Sequence, residues 1–407
     1  MISSQIKQTF TALSYPNYRL WFIGQVVSLI GTWMQSTAQG YLIYELTHSA
    51  AFLGYVSFAN GLPTWLFSLY GGVIADRIPR RKMLIITQAF MMVLAITLAI
   101  LTFTGTVQPW HIIVLSFLLG TANAFDTPSR QSFVSELVDR KDMTNAIALN
   151  STMFNVGTVV GPAVAGMIYA WVGPGWCFTL NGISFIAVIT ALVLMKLSGV
   201  LVNPAEKETP KKLADGLTFA WHNKTIRSLF MNLAVIGFFG FSLMALLPAW
   251  AVNILHGDAR TNGWLLSARG VGSLIGALMI ATVGSRGFRG KIWTVGYFLA
   301  PVFLLIFSAL RWLPASLLAL VCAGWAFMAM LNITNTLVQS HVSDELRGRV
   351  MGIYALVFMG GTPLGSLLAG WLAERFGEPL TLSVFSGVVL VLAVVTFIRH
   401  PEMRKLS

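Results

Sequence analysis

The chain has 407 residues, of which 56% are hydrophobic and only 10% are charged. A single soluble core cannot hide that much apolar surface, so the composition excludes an ordinary water-soluble globular protein and predicts a protein embedded in lipid. The formal net charge of +12 does not indicate nucleic-acid binding, because the basic residues fall in short loops between apolar runs and form no single stripe.

The first 19 residues are polar, and the apolar run that follows them is long enough to span a bilayer. We therefore predict no cleaved signal, with the first helix acting as the insertion signal. Both cysteines, Cys177 and Cys322, lie inside apolar segments without the spacing of a metal site, and the histidines are scattered. We expect no metal site and no cofactor, and we expect both cysteines to be small core residues.

Twelve apolar runs of roughly 20 or more residues are separated by glycine, proline or charge clusters. They lie near residues 18–44, 50–75, 83–105, 110–130, 146–172, 176–198, 228–255, 263–284, 292–312, 314–340, 350–373 and 380–399. A polar linker, residues 199–227, separates the first six from the last six, and its second half is expected to form a short interfacial helix. The sequence predicts an all-α membrane protein with twelve transmembrane helices in two pseudo-symmetric six-helix bundles, residues 1–198 and 228–407.

The lysines and arginines predict the orientation, because translocation disfavours them in short loops next to membrane spans. With the N-terminus in the cytoplasm, all but four of the 27 fall in or near cytoplasmic loops. The exceptions are Arg260, Arg269, Arg311 and Arg375. We expect a multi-pass protein of the bacterial cytoplasmic (inner) membrane with both termini in the cytoplasm.

The first run carries a continuous polar face within an otherwise apolar helix. Polar residues recur on it at spacings of three and four: Gln25, Ser28, Thr32, Gln35 and Gln39. Such a face should avoid lipid, so it either lines a cavity or forms hydrogen bonds between helices. Glu45, at the outer end of this run, is either a proton-binding carboxylate or a solvated helix cap.

The loop after the second run, GGVIADRIPRRKML (Gly71 to Leu84), combines an acid with a cluster of cations. Gly72 precedes Asp76, which ends the second helix, where a carboxylate can accept hydrogen bonds from a neighbouring helix N-terminus. The cations that can pair with acids or lipid phosphates are Arg77, Arg80 and Arg81. The cluster is either a latch that forms in one conformation and breaks in another, or a topological signal alone.

The fourth run carries Asn123 on its polar face and an acid, Asp126, followed four residues later by Arg130. This spacing places the two charges on one helix face, where they can pair. An acid within a membrane segment is costly and usually functional. Asp126 is therefore either a proton-responsive carboxylate or half of a permanent structural ion pair with Arg130.

The fifth run contains GTVVGPAVAG, in which Gly157, Gly161 and Gly166 flank Pro162. Glycines four apart let helices approach closely, and the proline removes a backbone donor and bends the helix. The eleventh run repeats the pattern as GTPLGSLLAG, residues 361–370, with five identical positions. The repeat supports two equivalent halves, and the glycines form either a common rocking interface or a generic packing face.

Two later runs carry polar residues at membrane depth. The tenth shows Asn332, Asn335 and Gln339 on one face, which together with the polar faces of the first and fourth runs favours a shared cavity. The eighth contains an isolated Arg269. This arginine either meets an anionic substrate, pairs with an acid, or extends towards the membrane surface.

Several of these segments resemble transporters of the major facilitator superfamily. The loop from Gly71 to Leu84 is similar to the family's loop between helices 2 and 3, although Pro79 stands where the family has a second glycine. The fifth run is similar to the signature of the family's antiporters, whereas in the fourth run Ser116 stands where many of them have an arginine, four residues before Gly120. The segments YPNYRLWFIG and AFDTPSRQSF resemble the subgroup of enterobactin exporters and macrolide efflux proteins. The resemblance implies the major facilitator fold, a latch role for the loop, and a cavity lined by helices 1, 4, 7 and 10.

These features predict a secondary transporter that exports amphipathic small molecules, either drugs or metabolites, by alternating access with protons as the coupling ion. A dedicated siderophore exporter of the enterobactin type is the alternative. An enzyme or a channel is disfavoured, because the sequence has no nucleotide-binding loop or hydrolase motif and a fixed pore does not need two repeated halves. We expect a monomer that interacts with substrate, protons and the lipid bilayer, and not with nucleic acid.

Overall fold

The computed structural model describes residues 10–75, 78–196, 210–283, 288–401 and 404. Its regular structure is helical, with no β-strand among these residues. Twelve long helices follow one another: α1 Pro16–Thr47, α2 Ala50–Ala75, α3 Arg80–Phe103, α4 Pro109–Phe133, α5 Met143–Val172, α6 Pro174–Leu194, α7 Lys224–Ile254, α8 Ala259–Val283, α9 Arg289–Ala309, α10 Leu313–Ser340, α11 Asp344–Phe376 and α12 Glu378–Arg399. A shorter connecting helix, Pro210–His222, precedes α7.

The lengths and composition of these helices suit a bilayer. Ten of them, α3 to α12, are long and apolar enough to cross a membrane. The other two, α1 and α2, have 32 and 26 residues. α1 is less apolar because it carries buried polar side chains such as Gln25 and Gln35. A helix of about 20 residues extends about 30 Å, which is the thickness of the hydrocarbon core. The all-α architecture predicted from the apolar runs is confirmed.

Short connections hold successive helices antiparallel. The chain turns at Gly173 (φ 91°) between α5 and α6, and at Gly377 (φ 82°) between α11 and α12, in conformations that residues with a Cβ rarely adopt. α1 and α7 are each followed within two residues by a histidine in the left-handed region, His48 and His256. The two halves of the chain therefore make the same kind of turn at equivalent places.

The helices pack in two equivalent sets. In the first half α1 packs against α5, α2 against α4, and α3 against α6; in the second half α7 packs against α11, α8 against α10, and α9 against α12. The most extensive contacts between the halves are those of α2 with α11 and of α5 with α8. Because the number of helices is even, the start of α1 and the end of α12 lie on one side, which we call the termini face. The opposite side is the far face.

α7 is the least regular of the twelve helices. It is α-helical over Lys224–Val235, forms π-turns at Ile236–Gly240 and Trp250–Ile254, and is 3₁₀-helical over Phe241–Leu246. Its counterpart α1 is one continuous α-helix. A π-turn inside a helix interrupts the regular hydrogen-bond ladder and is frequent at functional sites. The two halves therefore differ most in the helix that begins the second half.

Candidate functional site

A cavity of about 600 Å³ lies between the two halves of the bundle. Helices α1, α2, α4, α7, α8 and α11 form most of its wall. Its polar lining includes Thr32, Gln35, Gln39, Asn60, Ser116, Asn123 and Arg269. Its apolar lining includes Trp33, Phe241, Met244 and Phe358. A concave site of this volume, mostly apolar with a few placed polar groups, is typical of small-molecule binding.

The polar face of α1 forms one wall of this cavity. Gln39 Nε2 donates to Ser116 Oγ at 2.6 Å, and Asn181 Nδ2 donates to Gln35 Oε1 at 2.7 Å. Both glutamines are buried, and a buried polar side chain needs such partners. The polar face therefore lines the cavity and also joins α1 to α4 and α6.

The cavity wall does not include four residues that we expected there. Gln25 is buried nearer the termini face, at a level of α1 where Gly24 packs closely against α6. Asn332, Asn335 and Gln339 lie in the half of α10 next to the termini face, where Gln339 Nε2 donates to Asn335 Oδ1 at 2.6 Å. Helical spacing predicted the face of α1 or α10 on which each residue lies, but it did not predict how deep in the bundle the residue lies.

Arg269 gives the cavity wall its positive charge. No Asp, Glu, Lys or second Arg is found among the described residues of the wall. Gly324 of α10 packs on α8 so closely that a Cβ there would overlap the Arg269 carbonyl oxygen. In the corresponding helix of the first half, a Cβ on Gly120 of α4 would overlap the Asn60 carbonyl oxygen of α2. Arg269 and Asn60 thus occupy equivalent positions, so only the second half places a charge there.

Asp126 lies away from the cavity, between α3 and α4. Its Oδ1 accepts hydrogen bonds from Thr87 Oγ1 at 2.8 Å and from Gln88 Nε2 at 2.9 Å. Its Oδ2 lies 3.4 Å from Arg130 Nε, and the Asp126 side chain is 1% exposed. The expected pairing of the two charges is present.

The glycines of α5 and α11 make matching contacts within each half. A Cβ on Gly157 would lie 2.9 Å from Trp33 Cδ1, and one on Gly161 would lie 2.9 Å from the Ile30 carbonyl oxygen, both on α1. In the second half a Cβ on Gly361 would lie 3.2 Å from a backbone atom of α7. These glycines let α5 and α11 pack directly on α1 and α7, and Pro162 lines the cavity beside them.

The last glycine of each motif packs across the boundary between the halves. A Cβ on Gly166 would lie 2.8 Å from the Ala259 carbonyl oxygen in α8. One on Gly370 would lie 2.7 Å from the Ala50 carbonyl oxygen in α2. A Cβ carbon does not approach backbone atoms so closely, so glycine is the residue that permits these contacts. Both contacts lie where α8 and α2 begin, at the far face, and they close the cavity on that side.

The loop between α2 and α3 is described in part. Gly72 lies within α2, and Asp76 and Arg77 lie outside the described residues. Arg80 pairs with a carboxylate at the end of α4, with 2.9 Å between Arg80 Nη1 and Glu136 Oε1. The Arg81 guanidinium donates to a backbone carbonyl at the end of α6 at 2.8 Å. These two cations join three helices of the first half at the termini face.

Comparison with known proteins identifies the family. The sequence matches the model of the transmembrane secretion effector family over residues 7–406. The chain belongs to this family of major facilitator superfamily transporters. It is 26% identical to the staphyloferrin A transporter of Staphylococcus aureus over 95% of this chain and 97% of that protein. It is 26% identical to the multidrug efflux pump Tap of Mycolicibacterium fortuitum, covering 90% and 91% of the two chains. It is 24% identical to macrolide efflux protein A of Streptococcus pyogenes, covering 97% and 99%.

Solved structures show the same fold. A bacterial homologue of the human lysosomal transporter Spinster, in an inward-facing and unoccupied conformation, aligns with a TM-score of 0.76 at 16% identity, covering 97% of this chain and 98% of that one. The nucleoside transporter NupG aligns with a TM-score of 0.72 at 15% identity, covering 94% and 98%. The predicted major facilitator fold is confirmed, and this protein is a transporter.

The far face of the transporter carries a set of hydrogen bonds that sequence reasoning missed. Tyr44 Oη donates to Asn253 Oδ1 at 2.8 Å across the boundary between the halves. Asn253 Nδ2 in turn donates to Glu378 Oε1 at 2.7 Å. A second link between the halves runs from Ser49 Oγ to Glu374 Oε2 at 2.9 Å. Together with the glycine contacts, these bonds hold the far face closed.

Glu45 belongs to the same end of the transporter. It is exposed and accepts a hydrogen bond from the Tyr169 hydroxyl of α5. In the sequence Glu45, Glu374 and Glu378 all stand near helix ends, where an acid is normally a solvated cap. The signal that distinguishes them is the partner on another helix, which a single sequence does not reveal.

Proposed function

We propose that this protein exports amphipathic small molecules from the bacterial cytoplasm by alternating access. The observation that carries the proposal is the cavity of about 600 Å³ between two equivalent halves, closed at one face by paired glycine contacts. Two relatives are named as efflux proteins, one for multiple drugs and one for macrolides, which supports the outward direction. The mixed aromatic and hydrogen-bonding wall suits molecules that are neither fully polar nor fully apolar.

The orientation follows from the cations. Most of the described lysines and arginines lie at or near the termini face, so we place this face in the cytoplasm. With the far face closed, we propose that the cavity opens towards the cytoplasm, which is the state in which an exporter loads substrate. Release requires the glycine contacts at the far face to separate and the termini face to close, and the loop around Asp76 is the proposed latch for that second state.

Proton entry is the proposed energy source, and the antiporter-like motif from Gly157 to Gly166 supports it. The described cavity wall carries no carboxylate, so the proton site lies outside the wall. Asp126 is buried beside Arg130, where adding a proton would weaken the ion pair and loosen α4. Glu45 is the second candidate, because it joins α1 to α5 at the far face.

A dedicated siderophore exporter is the less favoured alternative. The staphyloferrin A transporter supports it at 26% identity, but relatives named for drugs are 24–26% identical over similar lengths. Identity at this level does not select one substrate. We also propose that the transporter acts as a monomer, because both halves of the cavity belong to one chain.

Uptake into everted membrane vesicles tests the proposal. We would supply two dyes with the same tricyclic body, anionic fluorescein and a cationic rhodamine ester, and energise the vesicles with a pH gradient, acidic inside. We expect saturable uptake of at least one dye that collapses when the gradient is dissipated. The matched control is Thr32→Trp, which fills the cavity from a partly buried position of its wall.

Each alternative gives a different result. Catecholate uptake without dye uptake would support the siderophore exporter. Flux that does not saturate would indicate a channel. Equal dye uptake by the transporter and by Thr32→Trp vesicles at equal abundance would contradict the cavity as the transport path.

A further inference from the structure

Arg269 is a cation at membrane depth for which the described residues provide no ion-pair partner. Its Nε is buried and has no hydrogen-bond acceptor within the described ranges. The ion pairs found there involve other residues. A guanidinium remains charged and offers five N–H donors, so leaving the Nε–H donor buried and unpaired is costly. Membrane proteins normally pair such a residue or use it in a transport path.

The rest of the wall does not neutralise this charge. Carboxylates are absent from the described lining, and two amides of the wall already have partners, Gln35 with Asn181 and Gln39 with Ser116. The wall is otherwise mostly apolar, which lowers the effective dielectric and strengthens the field of a single charge. A cleft with one sign of charge concentrates ligands of the opposite sign and repels ligands of its own sign.

The position of Arg269 is fixed by helix packing. Gly324 of α10 lies directly against its carbonyl oxygen, so the backbone of α8 packs closely on α10 at this level. At the equivalent place in the first half, Asn60 Nδ2 donates to the Ser116 carbonyl oxygen at 3.3 Å. The first half thus has a neutral residue with a partner, whereas the second half presents a charged donor to the cavity.

We infer that Arg269 binds an anionic group of the transported molecule, with a carboxylate as the group that fits best. A carboxylate accepts two parallel hydrogen bonds from a guanidinium, which a lysine cannot supply in the same geometry. The aromatic side chains of Trp33, Phe241 and Phe358 are then available to the apolar body. This inference rests on the proposed function and narrows the substrate class to amphipathic organic anions.

Binding of two matched dyes to the purified full-length transporter tests the inference. We would measure fluorescence anisotropy of fluorescein and of the rhodamine ester in detergent, with gluconate as the buffer anion. We expect fluorescein to bind more tightly than the rhodamine ester. Arg269→Gln should weaken fluorescein binding at least about tenfold, which corresponds to about 1.4 kcal/mol, and should leave rhodamine binding unchanged or stronger. Arg269→Lys should give an intermediate affinity for fluorescein.

Controls separate a folding defect from a lost ligand contact. Arg260→Gln removes an exposed arginine at the far face, outside the described cavity wall, and should leave both affinities unchanged. Unaltered rhodamine binding by Arg269→Gln shows that the cavity is intact. Equal weakening of both dyes, equal affinity of the wild type for both, or binding of neither dye would overturn the inference.

Two further results complete the test. Full displacement of fluorescein by chloride at physiological concentration would assign the site to an inorganic anion and overturn the organic substrate class. Gradient-driven uptake of the rhodamine ester that Arg269→Gln leaves unchanged, with no uptake of fluorescein, would overturn the inference while leaving the export proposal in place. Absence of gradient-driven uptake for both dyes would contradict the export proposal itself.

Discussion

Replacing Gly370 with alanine should open the far face of the transporter. The new methyl group would lie 2.7 Å from the Ala50 carbonyl oxygen and 3.0 Å from the Gly54 Cα, across the boundary between the halves. Overpacking of this kind typically costs about 1–3 kcal/mol. The contact exists only while the far face is closed, so the cost falls on the closed state and not on the open one.

The penalty converts directly into a change in populations. A difference of about 1–3 kcal/mol changes an equilibrium by roughly 5- to 150-fold, so the ratio of far-open to far-closed transporter should rise by that factor. Alanine also favours the helix by about 0.5–1 kcal/mol relative to glycine. That gain applies to both conformations, so it raises overall stability without changing their ratio.

Cysteine labelling measures this ratio. Leu53 lines the cavity and is 3% exposed, so Leu53→Cys should react with a membrane-impermeant maleimide from the far face only when that face opens. The background would carry Cys177→Ala and Cys322→Ala to remove the native thiols. In intact cells we expect Gly370→Ala to raise the labelling rate at least about fivefold, the lower end of the range.

A second glycine supplies the matched control. A Cβ on Gly387 of α12 would meet nothing within 4 Å, so Gly387→Ala carries the same gain in helix propensity without the clash. Its labelling rate should equal that of the parent protein. Equal rates for Gly370→Ala and Gly387→Ala would refute the idea that glycine contacts control the far face.

Three more changes test other parts of the transporter. Asp76→Asn should lower dye uptake in vesicles more than it lowers abundance on immunoblots, and normal uptake per molecule would contradict the latch. Asp126→Asn leaves Arg130 without its ion-pair partner, so the free energy of unfolding in detergent should fall by about 1–3 kcal/mol. A loss of pH-dependent uptake at normal stability would instead assign proton coupling to Asp126. Tyr15 donates to the carboxylates of Asp142 and Asp139 at 2.7 and 3.0 Å, and the bond to Asp142 is the main cause that raises the pKa of Tyr15 above its ordinary value. Below the ordinary tyrosine pKa the hydroxyl is protonated, and its two hydrogen bonds stabilise the folded state. This stabilisation is lost as the pH rises through the raised pKa that Tyr15 has in the folded protein. Tyr15→Phe should therefore lower the thermal midpoint at neutral pH and have less effect at strongly alkaline pH; equal midpoints at neutral pH would show that the bonds contribute nothing.

The helices and the glycine contacts were predictable because their signals are local. The fifth apolar run, near residues 146–172, corresponds to α5 at Met143–Val172, since hydropathy and length alone define a span. The repeated glycines needed no knowledge of the neighbouring helix, because a missing side chain at spacings of four already indicates close packing.

The depth of polar residues and the partners of the acids were not predictable in the same way. Gln25 and Gln39 share one face of α1, but only Gln39 lines the cavity. Helical periodicity defines the direction of a side chain and not the level at which the neighbouring helices separate. Likewise Glu378 becomes a partner of Asn253 only because α7 and α12 meet at the far face.

Reconstitution of the purified transporter into liposomes tests proton-driven alternating access. With a pH gradient imposed across the membrane and fluorescein present at equal concentration on both sides, we expect saturable accumulation of the dye in the compartment from which protons leave. Dissipating the gradient should abolish this accumulation. No accumulation under the gradient, or accumulation that does not saturate as the dye concentration rises, would contradict proton-driven transport by alternating access.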